Sequence, residues 1–454
     1  MNNLNKPEMQ HGEMTMNAID QFNQEFCQDP KNMLAMNAVT KNSITDVAMS
    51  RSAFVNAQHT FSHLVPLEGK ATSQKSSGRC WIFAALNVMR LPLMAKHNLE
   101  EFEFSQSYMF FWDKFEKSNY FLESIIDTRE KPVDDRTVMW LFQTAISDGG
   151  QWDMFVNLVN KYGVIPKDAM PESYASSNSA LMNRMVLHKL REYAKQLRDL
   201  NESGGQISEL RKLKNNQMKE IYRILCIFLG EPPKKFDWQF RDKDKKFFDF
   251  QGVTPKEFMK KHVPFNINDK VCLVHAPTQD KPLNNVLTVK YLGNIVEGFP
   301  TRYLNVDINV IKQAAAESIK AGESVWFGCD VGKRFHRDIG VMDMDLYDYN
   351  LVIGTDTKLD KGARLDYGDS AMTHAMVFTG VDIQNGKIEK WRVENSWGDK
   401  VGNKGYFIMT DKWFDEFNYE VVVDKKYVSQ DVLNIEKQKP IELNPWDPMG
   451  SLAG

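Results

Sequence analysis

The sequence predicts an α+β protein in which helices come first and strands follow. Three observations carry this. Apolar residues recur at helical spacing from Cys80 to about residue 230, and short apolar β-type runs (VCLVHAP, NVLTVKYLG, SVWFGCDVG, AMVFTGV, KWRVEN, GYFIM, YEVVVD) dominate from Val271 onward. A strongly charged helical hairpin separates the two regions, which argues for segregated layers. At 454 residues the chain exceeds the roughly 250–300 residues that one hydrophobic core usually serves, so a composite domain or one large insertion is expected.

In chain order, residues 1–66 are mixed and Asn-rich, with short amphipathic fragments, and read as an N-terminal arm that packs onto the body. Residues 67–179 form the helical half. It begins with the apolar run CWIFAALNVM at Cys80 and continues through SQSYMFFWDKFEKSNYFLESII. In SDGGQWDMFVNLVNKYGVIP, Gly149 and Gly150 precede a helix that Gly163 and Pro166 terminate, and adjacent glycines let another backbone approach closely. Residues 180–270 read as a helical insertion. Leu181, Met185, Leu190, Ala194 and Leu197 mark one helix, Gly204-Gly205 break it, and Leu210, Leu213, Ile221, Ile224, Leu225 and Phe228 mark the next. Pro232-Pro233 then lead into RDKDKKFFDF, which reads as a charged connector. Residues 271–440 are the β-rich half. The last stretch, IELNPWDPMGSLAG (441–454), has two prolines and no helical period, which predicts an extended tail anchored by Trp446 and Met449.

The totals exclude several function classes. A formal net charge of −3 gives no overall basic field, so neither nucleic acid nor an anionic membrane is an expected partner. Cys27, Cys80, Cys226, Cys272 and Cys329 are scattered, odd in number and without CxxC spacing, a pattern of a reducing compartment rather than of a zinc site or disulfide framework. The N-terminus lacks the basic start and apolar core of a signal peptide, and no stretch reaches the 18 apolar residues of a membrane span, so a cytoplasmic protein is expected. HExxH, GxSxG and GxxxxGK[ST] are all missing, which leaves cysteine chemistry, with no metal or organic cofactor, as the leading expectation.

Within QKSSGRCW, Cys80 stands where a polar loop meets an apolar helix. An ordinary role for it is a small buried hydrophobe. As the first residue of a helix, however, it lies at the positive end of the macrodipole, which lowers a thiol pKa and favours thiolate, and Arg79 adds to this if its side chain points that way. A nucleophile also needs a proton-transfer partner. Asn385-Gly386 predicts a two-residue hairpin loop between two β-prone runs, in a register where Thr379 faces Arg392, Met376 faces Asn395 and His374 faces Trp397. His374 and Asn395 then lie diagonally on one face, roughly 7–8 Å apart at the backbone, where an amide oxygen accepts from the imidazole and Trp397 covers the bond. Gln74, six residues before Cys80, supplies an amide donor which, with the Cys80 backbone N–H, suits a developing oxyanion.

These residues resemble the papain-type cysteine peptidases, which have a glutamine six residues before a Cys-Trp. NSWGDKVGNKGY resembles the family's Asn-Ser-Trp-Gly segment with its later Gly and Gly-Tyr, and SDGG resembles its glycine wall beside the substrate groove. The resemblance implies a papain-like two-layer fold, a helical left part and a β-rich right part, with Cys80 and His374 facing each other across the cleft. It also implies Gly149, Gly150 and Trp397 as substrate-binding residues. Two positions depart from the pattern: Ser77 stands where secreted members carry a disulfide cysteine, and Lys75 where a glycine is usual.

Over its whole length, with a helical insertion, an N-terminal arm and the tail NPWDPMGSLAG, the chain is similar to the bleomycin hydrolase and aminopeptidase C family. That resemblance implies a cytosolic thiol aminopeptidase assembled as a homohexamer, acting on peptides with a free N-terminus. It further implies that the tail occupies the groove and that its terminal carboxylate, near Ala453 and Gly454, receives the substrate's α-ammonium. Gly454 follows the alanine near which related chains end, so self-trimming of Gly454 is expected. Two other readings stand beside this one: a Cys/His acyltransferase, and a chambered nucleic-acid-binding or chaperone-like oligomer with incidental hydrolysis.

Overall fold

The computed structural model describes residues 12–356 and 358–454, which divide into two compact units. The smaller comprises the chain up to Gln58 together with Asp343–Leu359. Its helices Met16–Gln28, Pro30–Val39 and Ile44–Ala48 are N-capped by Thr15, Asp29 and Ser43, whose side chains accept from free first-turn N–H groups. A Met49–Tyr347 bridge and a bond from Ser50 N to Leu346 O (2.9 Å) join its two segments. Met1–His11 of the expected arm lies outside the described residues.

The larger unit, His59–Met342 with Asp360–Gly454, holds both expected layers. On the helical side are α1 (Cys80–Lys96), α2 (Gln106–Asp127) and α3 (Trp152–Tyr162), followed by the long pair α4 (Ala180–Glu202) and α5 (Ile207–Leu229). Helix α1 is mostly apolar and buried along nearly its whole length, so it is the core helix of the unit. Gly163 ends α3 at φ +72°, and Gly204-Gly205 separate α4 from α5, as the sequence predicts.

The β side is one sheet built from β1 (Lys270–Val274), β2 (Asn285–Val289), β3 (Tyr303–Asn305), β4 (Val325–Cys329), β5 (His374–Gln384), β6 (Lys387–Glu394), β7 (Tyr406–Thr410), β8 (Asn418–Asp424) and β9 (Ile441–Leu443). Its order is β9-β2-β3-β1-β8-β4-β5-β6-β7, continued by the two-residue strands Val341–Met342 and Phe335–His336.

Three details differ from the sequence reading. The segment read as a charged connector forms an antiparallel hairpin, Phe236–Arg241 with Phe247–Val253. Its period-2 aromatics Trp238, Phe240, Phe248 and Phe250 stack on one face, while the intervening charges face water. The β5–β6 hairpin turns at Asn385 and Gly386, both at positive φ, but carries two register shifts, so Arg392 lies opposite Gly380 rather than Thr379. The shifts cancel, and Val377 again lies opposite Glu394, which restores the predicted register next to Asn395. The tail is not extended throughout. After β9 it closes into a 3₁₀ turn, Pro448–Ala453, because Pro448 starts the turn with a fixed φ and Asp447 Oδ1 accepts from Met449 N (2.9 Å).

Candidate active site

Cys80 is the first residue of α1 and is 4% exposed. No side chain caps this helix start, and the first-turn N–H groups of Cys80 and Trp81 reach the thiol. The helix-end field does not decide the thiol's state. Burial pushes the Cys80 thiol up to about 11, and the nearby backbone N–H groups of Ala375, Trp81 and Cys80 only partly oppose this. Arg79 does not help, because its guanidinium turns inward, where it is 0% exposed, and bonds Glu172 at 3.0 and 2.7 Å. Burial therefore opposes the thiolate that a helix start favours.

His374 opens β5, beside Ala375, whose N–H reaches the Cys80 sulfur. The ring's Nε2 lies 2.9 Å from Asn395 Oδ1, and Trp397 packs over the imidazole with ring centroids 5.0 Å apart. Asn395 Oδ1 also accepts from Ser396 N at 2.7 Å, which fixes the amide. With Nε2 held by Asn395, Nδ1 is the nitrogen left to exchange a proton with a thiol. Burial lowers His374 to about 4, against a smaller upward effect of Asn395. Burial thus favours the neutral form of both groups.

Gln74 is buried on the loop before Cys80. Its N donates to Ser396 O (2.8 Å), its Oε1 accepts from Ser396 Oγ (2.7 Å) and its Nε2 donates to Ser77 O (2.6 Å), which leaves the second amide hydrogen uncommitted. Lys75 takes up the left-handed conformation (φ +53°) that a glycine would adopt there, so the substitution keeps the loop's shape.

The glycine pair divides its work. A Cβ on Gly149 would lie 2.0 Å from Leu452 O, so the backbone that this glycine admits is the chain's own tail; Gly150 instead packs under the Trp81 ring. Ala453 O accepts from Ser147 Oγ on the helical side, while Ser451 Oγ donates to Met372 O, two residues before His374, at 2.7 Å. The tail therefore straps the two layers together beside the Cys80–His374 pair. It is anchored by Met449 (0% exposed, its carbonyl bonded to Tyr303 OH at 3.2 Å) and by Trp446, which stacks under the Arg136 guanidinium at 3.7 Å. Gly454 is exposed and lines a small pocket with Lys117, Tyr120, Trp140, Ser147 and Tyr291.

Sequence reasoning missed the buried ions that hold these parts. Arg90 on α1 pairs with Glu394, the neighbour of Asn395, with both side chains at most 3% exposed, and Asn87 donates to the same carboxylate at 2.9 Å. Lys114 and Lys117 on α2 donate to the carbonyls of Ser147 and Gly149. The only sequence signal for them is lysines set three apart within an aromatic helix face. Among the described residues no group of three or more His, Cys, Asp or Glu is placed to hold a metal ion, and no helix is long and apolar enough to cross a membrane.

The chain is similar to known proteins over nearly its whole length. The model of the peptidase C1-like family matches residues 13–450. Human bleomycin hydrolase is 51% identical over 439 residues, covering 95% of this chain and 96% of its own length. Aminopeptidase C of Listeria monocytogenes is 46% identical over 441 residues, covering 97% and 99%. The crystal structure of PepW from Lactobacillus rhamnosis HN001 superposes with a TM-score of 0.95 at 46% identity, covering 97% of this chain and 99% of that one. The cysteine at a helix start, the histidine–asparagine pair on the facing sheet and the full-length match lead to one conclusion: the chain belongs to the peptidase C1-like family of papain-like cysteine peptidases, with the bleomycin hydrolases and aminopeptidases C.

Proposed function

We propose that the protein is a cysteine aminopeptidase that removes N-terminal amino acids from peptides and hydrolyses related amides. The observation that carries the exopeptidase reading is the tail strapped between Ser147 and Met372, with Leu452 O against Gly149. A chain end held there denies space to residues upstream of the scissile bond, and its carboxylate forms a charge-assisted bond with a free α-ammonium.

In the proposed reaction His374 takes the Cys80 proton as sulfur attacks the first peptide carbonyl. The oxyanion is stabilised by the Cys80 N–H and the free Gln74 amide hydrogen, and His374 then protonates the departing amine. Water, deprotonated by His374, hydrolyses the thioester and returns the thiol. Asn395 keeps the imidazole oriented throughout. The chain needs no cofactor for this, and we place it in the cytoplasm, in keeping with its cysteine usage, as the homohexamer that the sequence resemblance implies.

The test compares an amino-acid arylamide with its N-acetylated form, with and without iodoacetamide. Turnover of the free amine alone, abolished by alkylation, is expected. Equal turnover of the blocked substrate would refute the aminopeptidase reading, and insensitivity to alkylation would refute the cysteine mechanism.

A further inference from the structure

The loop that carries Gln74 into Cys80 is tied to the root of the helical insertion. Ser76 N donates to Ser177 O at 3.0 Å, in a parallel bridge with Asn178. Arg79 holds Glu172 through two bonds, and Glu172 in turn accepts from Ser176 Oγ at 2.6 Å. Gly78 N donates to Asp148 Oδ2 at 3.0 Å, and a Cβ on Gly78 would sit 2.9 Å from the Asp148 Cβ, so the fit is close.

Asp148 is where these ties converge. Besides Gly78, its carboxylate accepts from the Ser179 hydroxyl, from Asn183 Nδ2 at 2.7 Å and from the Lys114 ammonium at 2.7 Å. Its backbone carbonyl accepts from the indole N–H of Trp81, the residue after the nucleophile, at 2.7 Å. Burial pushes this carboxyl up, but the Lys114 charge and the Ser179 and Gly78 donors outweigh it and hold it well below the usual range, so the anion persists at any working pH. Ser179 immediately precedes, and Asn183 belongs to, helix α4, the first helix of the insertion.

We infer that Asp148 is a positioning residue for the reaction, one anion through which the helical insertion fixes the oxyanion loop and the glycine wall relative to Cys80. The role rests on the acyl-transfer reading above and extends it. The insertion, which touches neither Cys80 nor His374 in any bond described, acquires a part in catalysis: it sets how far the free Gln74 amide hydrogen stands from the Cys80 N–H.

The experiment measures kcat and KM on the arylamide and the rate of Cys80 alkylation by iodoacetamide, for wild type, Asp148→Asn, Asn183→Ala and the double variant. Alkylation passes through no oxyanion, so it reports the nucleophile alone. Asp148→Asn is expected to lower kcat about 30-fold, within the ~10²-fold that a 1 Å misplacement costs, with KM and the alkylation rate within about twofold. Asn183→Ala, partly exposed on the insertion, is expected to lower kcat about 3- to 10-fold, and the double variant to fall no further than Asp148→Asn, because both act through one anion. Values of kcat within threefold of wild type in both single variants would overturn the inference. So would alkylation falling in step with kcat, which would mean that the nucleophile or the fold was lost. If wild-type amidase activity survives complete alkylation of Cys80, the acyl-transfer reading fails first, and this role with it.

Discussion

Ending the chain at Gly450 removes Ser451–Gly454 while leaving Met449 and its bond to Tyr303 in place. The deletion gives up the Ser451–Met372 and Ser147–Ala453 hydrogen bonds and the burial of Leu452, which is 3% exposed. One leucine side chain and two hydrogen bonds amount to about 2.5–6 kcal/mol, spread over a terminal turn, so the two-layer core should persist. The kinetic effect is larger. A free-amine substrate loses one charge-assisted hydrogen bond, about 1.5–3 kcal/mol, or about 10- to 150-fold in kcat/KM. An N-acetylated substrate loses nothing and gains the space beside Gly149 that Leu452 O now fills. The ratio of free to blocked turnover is therefore expected to collapse by at least about 10-fold from the charge effect alone. The assay compares kcat/KM for an amino-acid arylamide, its N-acetyl form and an internally cleavable blocked peptide on both chain lengths. If the truncated chain keeps the full-length preference for a free amine, the tail does not set exopeptidase specificity and the reasoning fails.

Three further outcomes follow from the buried charges. With burial holding Cys80 at about 11 and His374 at about 4, the iodoacetamide rate should rise steadily with pH and show no plateau between about pH 5 and 8; a plateau there would indicate a resting thiolate–imidazolium pair. Arg90→Met should cost about 3–5 kcal/mol in chemical unfolding, because Glu394 is left buried without its cation, and adding Glu394→Leu should recover much of that loss; a single-variant cost under about 1 kcal/mol would contradict the burial argument. Burial raises Glu420 to about 8, so between the unfolded value near 4.5 and about 8 the folded chain keeps a proton that the unfolded chain releases, and wild-type stability falls as pH rises through that window. Glu420→Gln should match wild type near the acid end and exceed it by roughly 3–5 kcal/mol at pH 8, whereas a pH-independent difference would remove Glu420 as the cause.

The parts of this site set by local chemistry were legible in the sequence. The Asn385-Gly386 turn needs two residues tolerant of positive φ, and it placed His374 and Asn395 on one face of a hairpin. That placement survived two bulges only because they compensate. The first falls near Gly380, where a Cβ would meet the Leu64 side chain at 2.6 Å and the His63 carbonyl at 3.1 Å, because the two-residue strand His63–Leu64 pairs with β5 at Val381 and Gly380. No period in β5 or β6 encodes a neighbour more than 300 residues away. The direction of Arg79 was illegible for the same reason: its partner Glu172 lies 93 residues on, and only the packed structure shows that its charge is neutralised there instead of serving the thiol. The tail's 3₁₀ turn was missed because its two prolines were read as stiffening an extended chain, although a proline after a capping Asp also starts a turn.

Ser77 stands where the resembling secreted peptidases carry a disulfide cysteine. Its hydroxyl donates to Gln74 O at 2.7 Å and accepts from Arg79 Nε at 2.9 Å, so it serves the loop internally and makes no cross-link to the glycine wall. The cross-link is instead the Gly78–Asp148 bond, backed by Arg79–Glu172 and Lys114–Asp148. A disulfide holds its loop whatever surrounds it and acts largely on the unfolded chain. Hydrogen bonds and buried ion pairs have the opposite character: they are strong only while packing keeps water out and every partner is present. For Asp148 those partners include Ser179 and Asn183. Excising the helix pair α4–α5, Ala180 to Leu229, would thus leave a chain with Cys80, His374, Asn395, Gln74 and Ser179 all present, yet with the Asp148 carboxylate deprived of Asn183 and exposed to water. Such a chain should retain alkylatable Cys80 and lose most of its amidase turnover, which separates having a nucleophile from having its oxyanion loop in place.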